Sequence, residues 1–107
     1  MNKWPHSTPN GVIVRVKWLE AATRNLDEAA EYIAQENPDA AKAMYGYIRE
    51  RVAVLGKRPE MGRPGRVFGT RELVIEKYSY IVPYTVRENE ILVLRVFHTS
   101  QKPPKRC

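Results

Sequence analysis

The sequence predicts an α+β domain in which a helix hairpin packs on one face of a small, mostly antiparallel sheet. Three observations carry that prediction. Between Thr70 and Gln101, three runs rich in Val, Ile, Leu and Tyr follow one another, broken only at Tyr78-Ser79 and Glu88-Asn89. That is the pattern of a three-strand antiparallel meander built from short hairpins. Upstream lie two segments with apolar residues at helical spacing, joined by a very short connection, and a single strand precedes them. The order strand, helix hairpin, meander places the helices against one face of the sheet.

Each element follows from local chemistry. Met1 to Gly11 is aperiodic and contains Pro, Ser and Asn, so it reads as a disordered extension. Val12 to Trp18 is a strand. A helix runs from about Glu20 to Gln35, with Leu26, Ala29, Ala30 and Ile33 on one face. At Asn37-Pro38-Asp39 the chain stops and restarts. Asn37 can cap, and Pro38 fits the first helical position, where its missing N–H is no loss. The second helix runs from about Asp39 to Leu55, with Ala41, Met44, Ile48, Val52 and Leu55 as its apolar stripe. Gly56 is expected to cap it in the left-handed region, with Pro59 as the stop beyond. So short a connection makes the helices antiparallel, sharing one apolar seam.

Lys57 to Gly69 is a loop by its Gly and Pro punctuation, and it carries four bases against one acid. It is long for a connector, which suits either a functional loop or a crossover that returns the chain to the sheet. In the meander, Leu73 and Ile75 share one face, as do Tyr80, Val82, Tyr84 and Val86, while the final strand is apolar on both faces. Pro83 removes a ladder donor from an inner strand, so a bulge, or an N–H directed away from its neighbour, is expected there.

Length and composition bound the function. A chain of 107 residues is one domain, placed here at 12–102 with a basic tail at 103–107. It can bury about two-thirds of its unfolded surface without staples. Cys107 is the only cysteine, which excludes an internal disulfide, and with His6 and His98 it cannot assemble a structural zinc site. No metal and no cofactor are expected. Met1 to Gly11 lacks the apolar core of a signal peptide, and no apolar run approaches the roughly 20 residues that span a bilayer. A cytoplasmic protein without membrane contact is therefore expected. The net charge of +6 implies an acidic partner. Its distribution is uneven: Glu20 to Asp39 holds six acids and one base, Arg49 to Arg71 seven bases and two acids, and Arg95 to Cys107 four bases and no acid.

With these motifs in order, the chain resembles the RelE/ParE superfamily of bacterial type II toxin–antitoxin toxins, closer to its ParE, or plasmid-stabilisation, branch. The resemblance rests on Val16-Lys17-Trp18, Leu26, Tyr32-Ile33 and Asn37-Pro38-Asp39-Ala40-Ala41. It continues through Arg58-Pro59-Glu60-Met61-Gly62-Arg63-Pro64, Arg71-Glu72-Leu73, Tyr80 to Tyr84 and Ile91 to His98. It covers the chain from about Val12 to Lys102. Three departures stand out: Thr99-Ser100-Gln101-Lys102 occupies the place where members often carry an Arg-Asp or similar pair, the Met1 to Gly11 extension is outside the family pattern, and Pro83 replaces a residue that is usually not proline.

The resemblance implies a β-α-α-β-β-β fold and one of two activities. ParE-like members bind and poison DNA gyrase; RelE-like members cut mRNA on the ribosome. Metal-free RNA cleavage needs a base for the 2′-OH, an acid for the leaving oxygen and cations around the phosphate. Where RelE-like enzymes carry a sheet arginine, this chain has Ile81, and Arg71, Lys77 and Lys102 form no visible cluster. His98 has the right ordinary pKa for acid–base work, roughly 6.5. Strand parity, however, sets it after Leu92, Leu94 and Val96 on an apolar face, as a buried or half-buried residue whose ring binds backbone at the strand end, or as a partner contact. Tyr80 and Tyr84 could stack on bases, but their alternation with Val82 and Val86 fits core packing better. The expected function is gyrase inhibition by protein–protein binding, with mRNA cleavage as the alternative and no catalytic residue assigned. Arg58, Arg63, Arg66, Arg71, Lys77, His98 and Lys102 are the candidate binding residues. The resemblance further implies a co-encoded acidic antitoxin, held in a toxin–antitoxin hetero-oligomer.

Overall fold

The computed structural model describes residues 14–100. The extension 1–11, Val12 and Ile13 of the first strand, Lys102 and the tail 103–107 lie outside the described residues. The chain forms β1 (Arg15–Trp18), α1 (Glu20–Ala34), α2 (Pro38–Ala53), a 3-10 turn (Val54–Gly56), β2 (Arg63–Pro64), β3 (Thr70–Ile75), β4 (Tyr80–Arg87), β5 (Glu90–Val93) and β6 (Phe97–His98). The sheet runs β1-β5-β4-β3-β2, with β6 also paired to β4. β1 lies parallel to β5 and every other pairing is antiparallel.

The helix boundaries have clear causes. Pro38 ends the preceding helix, because a residue before proline is driven out of the helical region. The Asn37 side chain then accepts the Ala40 N–H at 3.0 Å and caps α2. At its far end α2 tightens into the 3-10 turn rather than meeting a left-handed glycine. Among the described residues Gly69 is the only glycine at positive φ, so Gly56 is not the expected cap. The reason is tertiary: the buried Gly56 turns its carbonyl to accept the Val14 N–H at 3.0 Å, tying α2 to the start of β1.

The core lies between the hairpin and one face of the sheet. Leu26, Met44, Ile48, Val52 and Leu55 from the helical layer meet Leu73, Ile75, Val82, Tyr84, Ile91 and Val93 from the strands. At roughly 1.5–3 kcal/mol for each buried side chain, this layer is the main source of stability. Tyr80 and Tyr84 belong to it, so the packing expected from alternation is observed.

The last run of the meander is interrupted. Tyr84 pairs with Val93, but Ile81 pairs with Phe97, so β4 advances three residues while its partner advances four. The extra residue makes Leu94 to Val96 a bulge. Pro83 sits opposite it: its carbonyl accepts the Leu94 N–H at 2.9 Å, and the missing proline N–H faces the interrupted stretch. Asn25 of α1 accepts the freed Val96 N–H at 3.1 Å. The bulge also reverses parity. Ile91 and Val93 face the core and Leu92 does not, yet Val96 is buried again. His98 therefore reaches the helix-facing side opposite Tyr80, and not by sharing a face with Leu92 and Leu94 as simple counting predicts.

Candidate functional site

The candidate binding residues fall into two groups at opposite ends of the sheet. The first is the basic loop, 57–69, which contains the short strand β2 and is pinned to the core. The buried Tyr84 hydroxyl donates to the Pro59 carbonyl at 2.7 Å and accepts the Gly62 N–H at 2.8 Å. Gly62 is required there, since a Cβ would lie 2.7 Å from the Tyr84 ring and 2.8 Å from the Glu72 carbonyl. Arg71 donates from Nη1 to the carbonyls of Gly62 at 2.6 Å and Glu60 at 3.3 Å. Glu72, only 6% exposed, accepts Arg63 Nη2 and Nε at 2.9 and 3.1 Å on Oε1, and the Arg66 N–H at 3.4 Å on Oε2.

Two of the predicted contacts are thus committed inside the chain. Arg63 neutralises a buried carboxylate and Arg71 holds loop carbonyls. Arg66 lies between these roles, its exposed guanidinium 4.0 Å from Glu72. Arg58 is exposed on the loop. Burial raises the Tyr84 phenol above its ordinary value of 10.0, against the Gly62 N–H and Arg71, which lower it, while Glu60 adds to the rise.

Lys77 and His98 form the second group. The Lys77 ammonium lies over the rings of Tyr47 at 5.1 Å and Tyr78 at 5.7 Å. His98 is half-buried and meets Tyr80 edge-on, with ring centroids 5.1 Å apart. Its Nδ1 accepts the Ser100 N–H at 3.0 Å and lies 2.7 Å from the Ser100 hydroxyl. An Nδ1 that accepts a backbone N–H places the neutral ring's proton on Nε2. This backbone bond at the strand end is the arrangement the sequence led us to expect.

Beside His98, a groove of about 550 Å³ opens between α1 and the bulged end of the sheet. Its apolar floor includes Ala29, Ile33, Met44 and Val96, with Glu28 and Tyr32 on its α1 side. Tyr32 is 75% exposed. On the opposite face of the sheet, Val74, Ile81 and Phe97 stand in one cross-strand row. Ile81 is buried, and neither Lys77 nor Arg71 belongs to that row.

Sequence reasoning missed several of these residues. Asn25 acts through Val96, far away in the chain, and Glu72 through arginines across the β2–β3 hairpin, and neither pairing shows in a local pattern. Phe68, fully exposed, was visible as an apolar pair with Val67 inside a loop otherwise rich in Gly, Pro and Arg. None of the described residues forms a His, Cys, Asp and Glu group able to hold a metal ion, and no described helix is long and apolar enough to cross a membrane.

Two helices on a mixed sheet of this order are the fold that solved chains of toxin–antitoxin systems also show. A solved chain of the chromosomal ParDE toxin–antitoxin system of P. aeruginosa superposes with a TM-score of 0.75 at 28% identity, over 80% of this chain and 96% of that one. A chain of the Mycobacterium tuberculosis toxin–antitoxin complex RelBE2 shares the fold at a TM-score of 0.56 and 22% identity, over 81% of this chain and 99% of that one. Residues 16–103 match the family described as the ParE toxin of type II toxin–antitoxin system, parDE, and the chain belongs to that family. Y4kP of Sinorhizobium fredii, which is named as a toxin, is 40% identical over 91 residues, 85% of this chain and 94% of that protein.

The loop's bonds can be tested by substitution. Tyr84→Phe leaves the Pro59 carbonyl and Gly62 N–H without their buried partner and should lower stability by about 1–3 kcal/mol in urea denaturation. The wild-type contribution is complete below pH 10.0, the ordinary phenol value, and declines as pH rises through the higher folded-state value. The alkaline loss of stability should therefore be shallower in Tyr84→Phe. Arg63→Gln, which strips the buried Glu72 of its main partner, should also lower stability by about 1–3 kcal/mol. Arg58→Gln should stay within about 0.5 kcal/mol of wild type in the same measurement.

Proposed function

We propose that this ParE-family toxin acts in the cytoplasm by protein–protein inhibition of DNA gyrase, and that a co-encoded acidic antitoxin neutralises it. The observation that carries binding over bond cleavage is the cross-strand row Val74, Ile81 and Phe97. An endoribonuclease built on this sheet needs cations around a pentacovalent phosphate, and that row offers hydrocarbon instead. Of the candidate cations, Arg63 and Arg71 are bonded to Glu72 and to loop carbonyls, and Lys77 lies over aromatic rings on the helix side.

The antitoxin is best accommodated by the groove between α1 and the bulged sheet end. Its floor of Ile33, Met44 and Val96 suits the apolar anchors of an antitoxin segment, while Glu28 on its α1 side leaves the long-range attraction of an acidic antitoxin to basic residues outside the groove. Toxin and antitoxin would then form a hetero-oligomer.

Inducing the toxin alone should produce gyrase-linked DNA breaks and an SOS response, both reversed by co-expressing the antitoxin. Rapid cutting of transcripts within translated codons, with DNA intact, would favour the endonuclease and overturn the proposal. His98→Ala should leave growth inhibition unchanged. Loss of inhibition in a folded His98→Ala protein would restore an acid–base role.

A further inference from the structure

We propose that the tip of the β2–β3 hairpin, Arg66-Val67-Phe68, is the element that engages the target, with Phe68 inserting into an apolar pocket rimmed by carboxylates on a folded protein. The proposal rests on the reading that this toxin acts by binding a protein. Phe68 is one of two phenylalanines in the chain and is fully exposed, with Val67 beside it 45% exposed. Hairpin tips are ordinarily built from small polar residues, so an aromatic there contributes nothing to the chain's own core.

The tip is held in place. The Thr70 N–H and hydroxyl both donate to the Val67 carbonyl, at 3.0 and 2.6 Å. Gly69, at φ +86°, supplies the left-handed residue that a turn of this kind needs after its first corner. Phe68 occupies that first corner. The Thr85 hydroxyl donates to the Gly69 carbonyl at 2.8 Å, and the Gly65 N–H to the Thr70 carbonyl at 2.8 Å. With the turn's backbone fixed in this way, only the two side-chain torsions of Phe68 remain to be ordered when it docks.

Charge and shape indicate the partner. The loop carries Lys57, Arg58, Arg63 and Arg66 against Glu60, and the nearby Glu72 is buried under Arg63. That surplus favours an acidic rim around the pocket that takes Phe68. Next to the tip, a recess of about 450 Å³ bounded by Pro64, Gly69, Thr70 and Val86 can receive a side chain in return. The six residues of β3 separate this end from the groove beside His98 by roughly 20 Å, so the two surfaces can be altered independently.

The test is the double substitution Val67→Ser, Phe68→Ser in the full chain, compared with wild type. Growth inhibition on induction, melting temperature, affinity for purified gyrase and affinity for a single-stranded RNA 20-mer would be measured. We expect an unchanged melting temperature, loss of growth inhibition, and about 30-fold weaker gyrase binding, typical of removing an aromatic hot spot. A variant as inhibitory as wild type would overturn the proposal. So would a lowered melting temperature, which would give the tip a folding role, or a loss of RNA affinity in step with toxicity, which would make the tip a nucleic-acid contact. If wild type inhibits growth without binding gyrase and the folded variant does not inhibit, the hairpin assignment stands and the gyrase reading falls.

Discussion

A phenol hydroxyl buried in a protein core must find its hydrogen bonds inside the chain, and Tyr84 finds both in one loop. Its ring fills the space between sheet and helices, while its oxygen joins the Pro59 carbonyl to the Gly62 N–H. That bridge fixes where the chain returns from α2 to the sheet. Once Gly62 is set, Arg63 pairs with Glu72 on the sheet, Arg71 reaches the carbonyls of Gly62 and Glu60, and the β2–β3 hairpin closes. The charge of the loop is thereby divided. Arg63 and Arg71 are spent on holding the fold, and Arg58 and Arg66 are left facing outward.

The other end of the sheet depends on a compensated irregularity. A proline in an inner strand and a bulge in its neighbour would each be a defect alone. Placed opposite one another, the absent proline N–H meets a stretch that needs no donor, and Asn25 takes up the Val96 N–H that the bulge sets free. The bulge turns His98 toward the helices and opens the groove between α1 and the sheet. The two partner surfaces proposed for this toxin therefore arise from two local departures from regular structure: a pinned basic loop and a bulged strand.

Much of the architecture was legible in the sequence. Helical spacing, the Asn37-Pro38 restart and the turns after β3 and β4 are local signals, and the positive φ of Ser79 and Glu88 confirms turns at those places. The alternation that put Tyr80 and Tyr84 in the core is equally local. What escaped was long-range. Gly56 could not be read as a 3-10 residue, because its reason is a hydrogen bond to Val14. Counting by twos along the last strand failed at the bulge, so His98 was given a buried or half-buried place by a wrong route. The loop cations read as one basic patch because the sequence does not show that Glu72 is buried among them.

The account turns on the loop being locked to the core through Tyr84, and amide hydrogen exchange of Gly62 tests this most directly. A donor bonded to a fully buried hydroxyl should exchange only when the core opens, with protection close to that of Val82 and Ile91. The Phe68 amide, at the exposed tip, should exchange far faster. Gly62 exchanging as fast as Phe68, in a protein whose Val82 and Ile91 stay protected, would show the loop to be detached and would contradict the account.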